Sequence, residues 1–410
     1  MAEHGESSAS HSDATLYGDI VVLDLSSAIR GMHCAKMFGD YGAEVILVEP
    51  ASGSAARQVG PFAAGREDRE TSLHFMHHNR NKKSVTLNLH TTRGQELLRE
   101  LARGADLLIE DWPVGALEAL GLGFEQLHAL NPRLVVCSIT GFGQGGPYAS
   151  YKTSNIVEDA MGGLMGITGP ADRPPTMTGA QQAEHITAMH AAYACAAALL
   201  YRDLHDEGQH IDVSAQECVA SVLENAIEQY TYTGVARKRA GSRHGTAWPC
   251  TVFPCKDGYI GMCCTQGKEA RAAALLSEDF ELAEDPALDN TFERRARADE
   301  FEPRLVAGYM KYGKSDLFHK GQSLGCPIGM TSDARDLAID AHLNEIGFFA
   351  EFAHPVIGLY KDIAAPVYMT ATPGVMRSAA PLLGQHTNEI LSRLNLSEAE
   401  LATLSADGII

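Results

Sequence analysis

The chain has 410 residues, with 33 Lys or Arg against 52 Asp or Glu, which gives a formal net charge of −19. This acidic balance argues against a nucleic-acid-binding protein, which needs a clustered basic surface. Hydrophobic residues at 45% and charged residues at 21% are typical of a globular protein with a large core. No apolar run reaches the ~18 residues of a membrane span, and residues 1–17 are predicted to be a disordered leader rather than a signal peptide.

Cysteine and histidine usage bears on compartment and metal binding. Nine cysteines are scattered along the chain without a C-x-x-C pair. An odd number of cysteines scattered along the chain predicts reduced thiols in a cytoplasmic protein. The closely spaced His74, His77 and His78 form no H-E-x-x-H motif, so the sequence favours a polar surface turn there and predicts no metal site.

From residue 19 onward, strand and helix patterns alternate. Buried-strand patterns are predicted at 19–27, 44–49, 84–89, 105–110 and 134–138, with helices at 31–41, 91–103, 116–120 and 124–130. Such alternation predicts a doubly wound α/β domain with a parallel sheet and right-handed crossovers.

Residues 141–179 are rich in Gly and Pro, as expected of loops at the carboxyl ends of strands, where open α/β sheets bind ligands. The segment GFGQGG at 141–146 precedes a proline and is not followed by a helix carrying the acidic residue of a dinucleotide site. P-loop and G-x-S-x-G motifs are absent from the sequence. A long Ala-rich helix is then predicted at 182–204, a strand at 210–213 and a helix at 215–229.

The composition changes after residue 225. A basic linker at 235–245 precedes a predicted strand pair at 251–264 and charged helical segments at 268–325, and short strands and two closing helices follow. The sequence therefore predicts a smaller second domain at 226–330.

Seven blocks, in order, carry a family resemblance: VLDLSSAIRG…FGDYGAEVILVEP (22–50), NRNKKSVTLNL (79–89), LGLGFEQLHALNPRLVVCSITGFGQGGPY (120–148), EGQHIDVSAQE (207–217), VFPCKDGY (252–259), GCPIG (325–329) and APLLGQHTNEIL (380–391). Together they resemble the class III (CaiB/BaiF) CoA-transferases. The resemblance implies a discontinuous Rossmann-like large domain formed by 18–225 and 331–410, a small α/β domain at 226–330 between these two segments, and an interlocked dimer.

The resemblance also implies where CoA binds, as a substrate thioester rather than a resident cofactor. The implied positions are Ala28, Ile29, Leu87, His90, Asp111, Trp112 and Lys152. Trp112 can stack on adenine, and Lys152 with the Lys82–Lys83 pair can supply positive charge for phosphates. Members often have Lys, Asn and Arg where this chain has Leu47, Asp111 and Ala119. Each difference removes a favourable CoA contact or adds negative charge.

The catalytic position departs from the family pattern. Family transferases carry a nucleophilic aspartate where this chain has Glu184, in the first turns of the predicted Ala-rich helix. A carboxylate is a competent nucleophile in either residue, and a helix N-terminus favours its charge. The extra methylene shifts the attacking oxygen by about 1 Å. Asn155 replaces an acid that the racemases of the family use, and an amide cannot exchange a proton with an α-carbon.

Several functions stay open on this reasoning. The first is a CoA-transferase moving CoA between an acyl-CoA, such as succinyl-CoA, and a carboxylic acid through Glu184. The second is a subunit of a heteromer, as in succinyl-CoA:benzylsuccinate CoA-transferase, with the nucleophile on a paralogous chain. A racemase-like enzyme or a non-catalytic acyl-CoA-binding protein are alternatives. Five positions depart from the family pattern, and together they favour the heteromeric subunit over a homodimer. These positions are Leu47, Asp111, Ala119, Asn155 and Glu184.

Overall fold

A computed structural model describes residues 15–245 and 247–410. The chain divides into two compact units. Unit 1 comprises the described residues up to Leu164, together with Thr178–Glu224 and Glu345–Ile410, and unit 2 comprises Met165–Met177 and Asn225–Asn344. Residues 165–177 and 331–344, assigned above to the large domain, thus lie in unit 2. Residue contacts explain this placement, because Gly241 N donates to Gly169 O and Thr331 N to Tyr259 O.

The strands are β1 (Val21–Asp24), β2 (Glu44–Glu49), β3 (Lys82–Thr86), β4 (Leu107–Glu110), β5 (Val135–Thr140), β6 (His210–Ser214), β7 (Cys250–Cys255), β8 (Gly258–Cys263), β9 (Ile328–Met330), β10 (Phe349–His354) and β11 (Gly358–Ile363).

The helices are α1 (Ile29–Asp40), α2 (Leu73–Asn79), α3 (Thr92–Arg103), α4 (Ala116–Ala119), α5 (Phe124–Leu130), α6 (Asn155–Met161), α7 (Leu164–Ile167), α8 (Gln182–His205), α9 (Ala215–Ser221), α10 (Ala226–Thr233), α11 (Gly267–Leu276), α12 (Phe280–Ala283), α13 (Thr291–Ala296), α14 (Ala298–Tyr309), α15 (Lys314–Ser323), α16 (Ala334–Ile339), α17 (Ala341–Glu345), α18 (Thr387–Ser392) and α19 (Glu398–Ala406). No helix in the described ranges is long and apolar enough to cross a membrane.

Unit 1 is built on a six-stranded sheet in the order β3-β2-β1-β4-β5-β6. All five strand pairs are parallel, for example with Leu23 beside Ile46 in β2 and Leu108 in β4. This is the doubly wound strand order. The chain adds β2 and β3 on one side of β1 and then β4, β5 and β6 on the other, so the switch point of the sheet lies between β1 and β4. The prediction of a Rossmann-like α/β fold is confirmed.

Apolar patterning explains why these elements form. Strand β5 is buried along its whole length, as expected where helices cover both sheet faces. Helix α3 begins where the Thr91 side chain accepts a hydrogen bond from Gly94 N, and it buries Leu97 and Leu98. On the other face of the sheet, Ala188, Ala191 and Cys195 of α8 pack with β1, β4 and β5.

The lysines of β3 are engaged within unit 1. Lys82 is buried, and its Nζ donates to Asp24 Oδ2 at 2.7 Å, to Met32 O and to Asn79 Oδ1. Lys83 forms ion pairs with Glu44 and Glu389. Lys82 is therefore not available to a phosphate, because a buried ammonium needs its partners inside the fold, whereas Lys83 is partly exposed.

Unit 2 has a three-stranded antiparallel sheet in the order β7-β8-β9. Helices α11, α14 and α15 supply apolar side chains to its core, including Leu276, Phe301 and Leu317. The predicted single helix at 215–229 is two helices, α9 and α10. Glu224 between them adopts a left-handed φ of 54°, a conformation that the residue types did not signal.

Candidate active site

At the switch point between β1 and β4, hydrogen bonds join the loops that follow these two strands. The Asp111 carboxylate accepts from Ser27 N at 2.9 Å and from Ala28 N at 2.7 Å. Trp112 Nε1 donates to Leu25 O at 2.8 Å. Ligands of doubly wound folds bind in the crevice outside the carboxyl ends of the strands at this position. The predicted residues Ala28, Asp111 and Trp112 are thus brought together.

Gly31, in the first turn of α1, lets the β1–α1 loop fold close to the helix. A Cβ built at this position would lie 2.3 Å from Ser26 Cβ and 3.2 Å from an Asp111 oxygen. Real Cβ atoms do not approach that closely, so a larger side chain would displace the loop. The shape of the crevice at Ala28 therefore depends on Gly31.

Two carboxyl groups after β4 have raised pKa values. Burial raises the pKa of Asp111 to about 7, against the opposing effect of the N–H groups of Ser27 and Ala28. Burial also raises the pKa of Glu110 to about 6, although Ser138 and Trp112 N stabilise its charged form. An ionised Asp111 adds negative charge at the crevice where CoA is expected to bind.

We expect Asp111→Asn to stabilise the protein more at pH 8 than at pH 5. Folded Asp111 holds its proton up to about pH 7, whereas unfolded Asp loses it near pH 4, so its contribution to stability falls as the pH rises through that window. Urea unfolding of both proteins at the two pH values measures the difference. The exposed Asp19→Asn variant is the control. Equal gains in the free energy of unfolding at pH 5 and pH 8 would contradict the raised pKa of Asp111.

Glu184, the predicted nucleophile, lies in the first turn of α8 and is buried, with 6% of its surface exposed. Arg30 contacts both of its carboxylate oxygens. Arg30 N donates to Oε2 at 3.1 Å, and the guanidinium Nη2 lies 3.2 Å from Oε1. Arg30 is at the start of α1, two residues after Ala28. The structure therefore places Glu184 next to the β1–α1 loop.

A second buried carboxylate shares the same arginine. Glu158 of α6 accepts from Arg30 Nη1 at 2.7 Å, and its other oxygen has no hydrogen-bond partner among the described residues. Burial raises the pKa of Glu158, and Arg30 opposes that rise. Burial disfavours the charge of Arg30, but Glu184 and Glu158 outweigh it and raise its pKa. One guanidinium thus balances two buried acids.

Two neighbouring polar residues hold the start of α8. Glu184 N donates to Asn155 Oδ1 at 3.4 Å, so this amide contacts the helix where the family racemases have an acid. The Asp159 carboxylate accepts from Thr178 N at 2.8 Å and from Thr178 Oγ1. These contacts give Asn155 and Asp159 positioning roles before α8.

The other residues implied for CoA binding differ in exposure and in position along the sheet. Leu87 is 2% exposed, in the apolar core, and His90 is exposed beyond β3, two strands away from β1. Lys152 is exposed in the loop before α6. Ile29 is 5% exposed at the first position of α1, so only its backbone is close to the crevice.

Sequence reasoning missed a histidine cluster in unit 1, one member of which, His185, follows Glu184 in sequence. His33 of α1, His78 of α2 and His185 of α8 offer ring nitrogens that all lie within 4.8 Å of one another. Burial lowers the pKa of His33 to about 2 and also lowers that of His78. The prediction of a polar surface turn is wrong, because α2 packs on α1 and buries His78.

Comparison with known proteins identifies the class. The model of CoA-transferase family III matches residues 17–387. A protein of the CAIB/BAIF family from Brucella suis has a solved structure with a TM-score of 0.85, at 29% sequence identity over 93% of this chain and 99% of that one. The chain belongs to CoA-transferase family III and is a CoA-transferase, which confirms the resemblance predicted from the seven sequence blocks.

Two characterised relatives are similar over nearly their whole length. Succinyl-CoA–D-citramalate CoA-transferase of Chloroflexus aurantiacus is 33% identical over 397 residues, covering 96% of this chain and 97% of the relative. Succinyl-CoA:(R)-benzylsuccinate CoA-transferase subunit BbsE of Thauera aromatica is 30% identical over 402 residues, covering 95% and 97%.

Proposed function

We propose that this enzyme transfers CoA from succinyl-CoA to a dicarboxylic acid, with Glu184 as the nucleophile. The observation that carries the proposal is the buried Glu184 carboxylate, oriented by Arg30 beside the switch point of the sheet. A carboxylate oxygen is a competent nucleophile toward a thioester. The Arg30 guanidinium and backbone N–H contact both Glu184 oxygens and fix their orientation.

The reaction follows from the chemistry of a carboxylate nucleophile. A Glu184 oxygen attacks the thioester carbonyl of succinyl-CoA, the C–S bond breaks, and CoA thiolate leaves a mixed anhydride on Glu184. The thiolate then attacks the Glu184 carbonyl and releases succinate, which leaves a glutamyl-CoA thioester. The acceptor carboxylate reverses these two steps, takes the CoA and restores Glu184. Each step breaks one acyl bond and forms another, so a separate oxidant or reductant is not required.

The groups at the carboxyl ends of β1 and β4 suit the CoA moiety. Backbone at Ala28 and Ile29 lies at the edge of the crevice there, and the half-buried Trp112 ring offers an apolar surface for the adenine. Lys152, on an exposed loop, is available to a phosphate once CoA is bound. No resident cofactor or metal takes part in these steps, because the CoA thioester is itself a substrate.

The acceptor class is taken from the relatives. Citramalate and benzylsuccinate, in the names of the two relatives, each carry two carboxyl groups, and both names give succinyl-CoA. A screen of CoA exchange from succinyl-CoA to a panel of mono- and dicarboxylic acids tests the proposal. Exchange with dicarboxylic acids supports it. Exchange confined to monocarboxylic acids, or none with any acid for the purified chain, contradicts it.

A second candidate is the partner subunit of a heteromer, with the working nucleophile on a paralogous chain. The relative BbsE is named as a subunit, and Arg30 contacts both oxygens of Glu184, which lowers the nucleophilicity of this carboxylate. Under this candidate the chain alone has no exchange activity, and activity appears on co-expression with a paralogue. The same screen, run with and without such a paralogue, separates the two candidates.

We expect the enzyme to be a tight dimer, of two identical chains or of this chain with a paralogue. Support comes from α8, where Met189, Tyr193, Leu200 and Leu204 form one exposed apolar stripe, with Tyr193 66% and Leu204 71% exposed. Apolar stripes of this kind are normally covered. Interlocked chains separate only on unfolding, so light scattering after dilution to nanomolar concentration should still give a dimer after hours. A monomer would contradict the expectation.

We further propose a cytoplasmic location, where acyl-CoA substrates and reduced thiols are found. All nine cysteines are free thiols in the structure, which supports this location.

A further inference from the structure

Three imidazole rings from separate helices of unit 1 converge on one point. His33, His78 and His185 have ring centroids 5.1 to 5.6 Å apart. One ring nitrogen of each lies within 4.8 Å of the others. All three residues belong to unit 1, and α1 packs directly against both α2 and α8. The cluster is therefore held by helix packing rather than by a loop.

The hydrogen bonds leave lone pairs available for a ligand. His185 Nδ1 lies 3.1 Å from Gln181 O. A carbonyl only accepts, so Nδ1 carries the proton and Nε2 carries the lone pair. His33 Nδ1 and His78 Nδ1 are buried and have no hydrogen-bond partner among residues 15–245 and 247–410. A buried polar atom without a partner costs free energy unless a ligand or water satisfies it.

The charged side chains near the three rings are engaged in ion pairs. Lys36 pairs with Asp40 and Lys82 with Asp24, although both ammonium groups still act on His33. Glu184, adjacent to His185 in sequence, pairs with Arg30. The two buried Nδ1 atoms without partners are therefore the observation that points to a ligand.

We propose that His33, His78 and His185 form a site for one divalent transition-metal ion of the Zn²⁺ or Co²⁺ class. Imidazole nitrogens favour these ions over Mg²⁺ and Ca²⁺, which prefer oxygen ligands. Metal–nitrogen distances of about 2.0–2.1 Å place tetrahedral ligands about 3.3 Å apart, so binding requires the most widely separated nitrogens, within 4.8 Å of each other here, to approach by up to about 1.5 Å through rotation of the rings. Three protein ligands leave a fourth position for water. The site is independent of the proposed transfer reaction.

The experiment uses the full chain without a polyhistidine tag, freed of metal with a chelator. Zn²⁺ is titrated by calorimetry, and Co²⁺ by its visible absorption, which is strong in tetrahedral coordination. The expected result is one equivalent of either ion bound with Kd below about 10 µM. His185→Gln should weaken binding at least ~10-fold. His33→Asn is the second variant if His185→Gln does not fold by circular dichroism.

His190→Gln is the matched control. His190 lies on the same helix, and its Nδ1 also contacts the carbonyl four residues before it, 2.8 Å from Ile186 O, but its Nε2 lies 3.2 Å from Ser221 Oγ, away from the cluster. This variant should bind Zn²⁺ like the wild type. The proposal is overturned if the wild type binds more weakly than about 100 µM, if His185→Gln and His33→Asn leave binding unchanged, or if His190→Gln weakens it equally.

Discussion

Replacing Glu184 by glutamine is expected to abolish CoA exchange, with a loss of at least ~1,000-fold in kcat. Glutamine keeps the size of the side chain and an oxygen that can accept from Arg30, but an amide oxygen does not form the anhydride and thioester intermediates. Exchange of CoA between succinyl-CoA and labelled succinate is the measurement, because it needs no knowledge of the acceptor. Circular dichroism and urea unfolding establish that the variant folds.

The matched control is Glu217→Gln. Glu217 is likewise in the first turn of a helix of unit 1, but it is exposed and has no contact with Arg30 in the described structure. Its replacement should leave the kcat of CoA exchange within about twofold of the wild-type value. Glu184→Asp keeps a carboxylate about 1 Å further back and should retain exchange that the glutamine variant lacks. Full exchange by Glu184→Gln would overturn the assignment of the nucleophile.

Replacing Arg30 by alanine is expected to lower the free energy of unfolding by about 3–5 kcal/mol. The change leaves Glu158 and Glu184 buried together, with side chains 0% and 7% exposed, and removes the single positive charge between them. Urea unfolding at pH 7 measures the loss. Arg133→Ala, at an exposed pair with Asp206, is the control and should cost no more than about 1 kcal/mol.

Arg30→Lys separates stability from positioning. Lysine keeps the positive charge, so most of the free energy of unfolding that Arg30→Ala loses should return. Lysine lacks the planar fork that contacts two carboxylates at once, so it should not orient Glu184 as Arg30 does. The kcat of exchange should fall more than the KM for succinyl-CoA rises, because Arg30 acts through the orientation of Glu184. A variant that is as stable and as active as the wild type would contradict this positioning role.

Much of the large-domain architecture was predictable, because local patterns determine it. The apolar run of β2 was predicted with its observed bounds, Glu44–Glu49, and α5 likewise as Phe124–Leu130. Strand order and the switch point follow from βαβ handedness and the family resemblance. The break between α9 and α10 was not predictable, since Val222 to Asn225 include neither Gly nor Pro.

The candidate site was predicted only in part. The resemblance singled out Glu184, Asp111 and Ala28. Asp111 accepts a hydrogen bond from Ala28 N, and Glu184 accepts one from Arg30 N, two residues further along the chain. Arg30 was missed because its partners, Glu158 and Glu184, are 128 and 154 residues away along the chain. The local spacing of residues does not indicate contacts at such separations. The same reason hid the convergence of His33, His78 and His185. The burial of Lys82 likewise depends on Asp24 in another strand.

Direct detection of the covalent intermediate tests the central claim. The purified chain is incubated with succinyl-CoA, alone and with a co-expressed paralogue, then treated with hydroxylamine or borohydride, digested and analysed by peptide mass spectrometry. A carboxyl-derived thioester is converted by hydroxylamine to a hydroxamate and by borohydride to an alcohol. We predict that the modification falls on Glu184 and is absent from Glu184→Gln. Modification of Glu158, of Asp159 or of the paralogous chain instead, with Glu184 unmodified, would contradict the account.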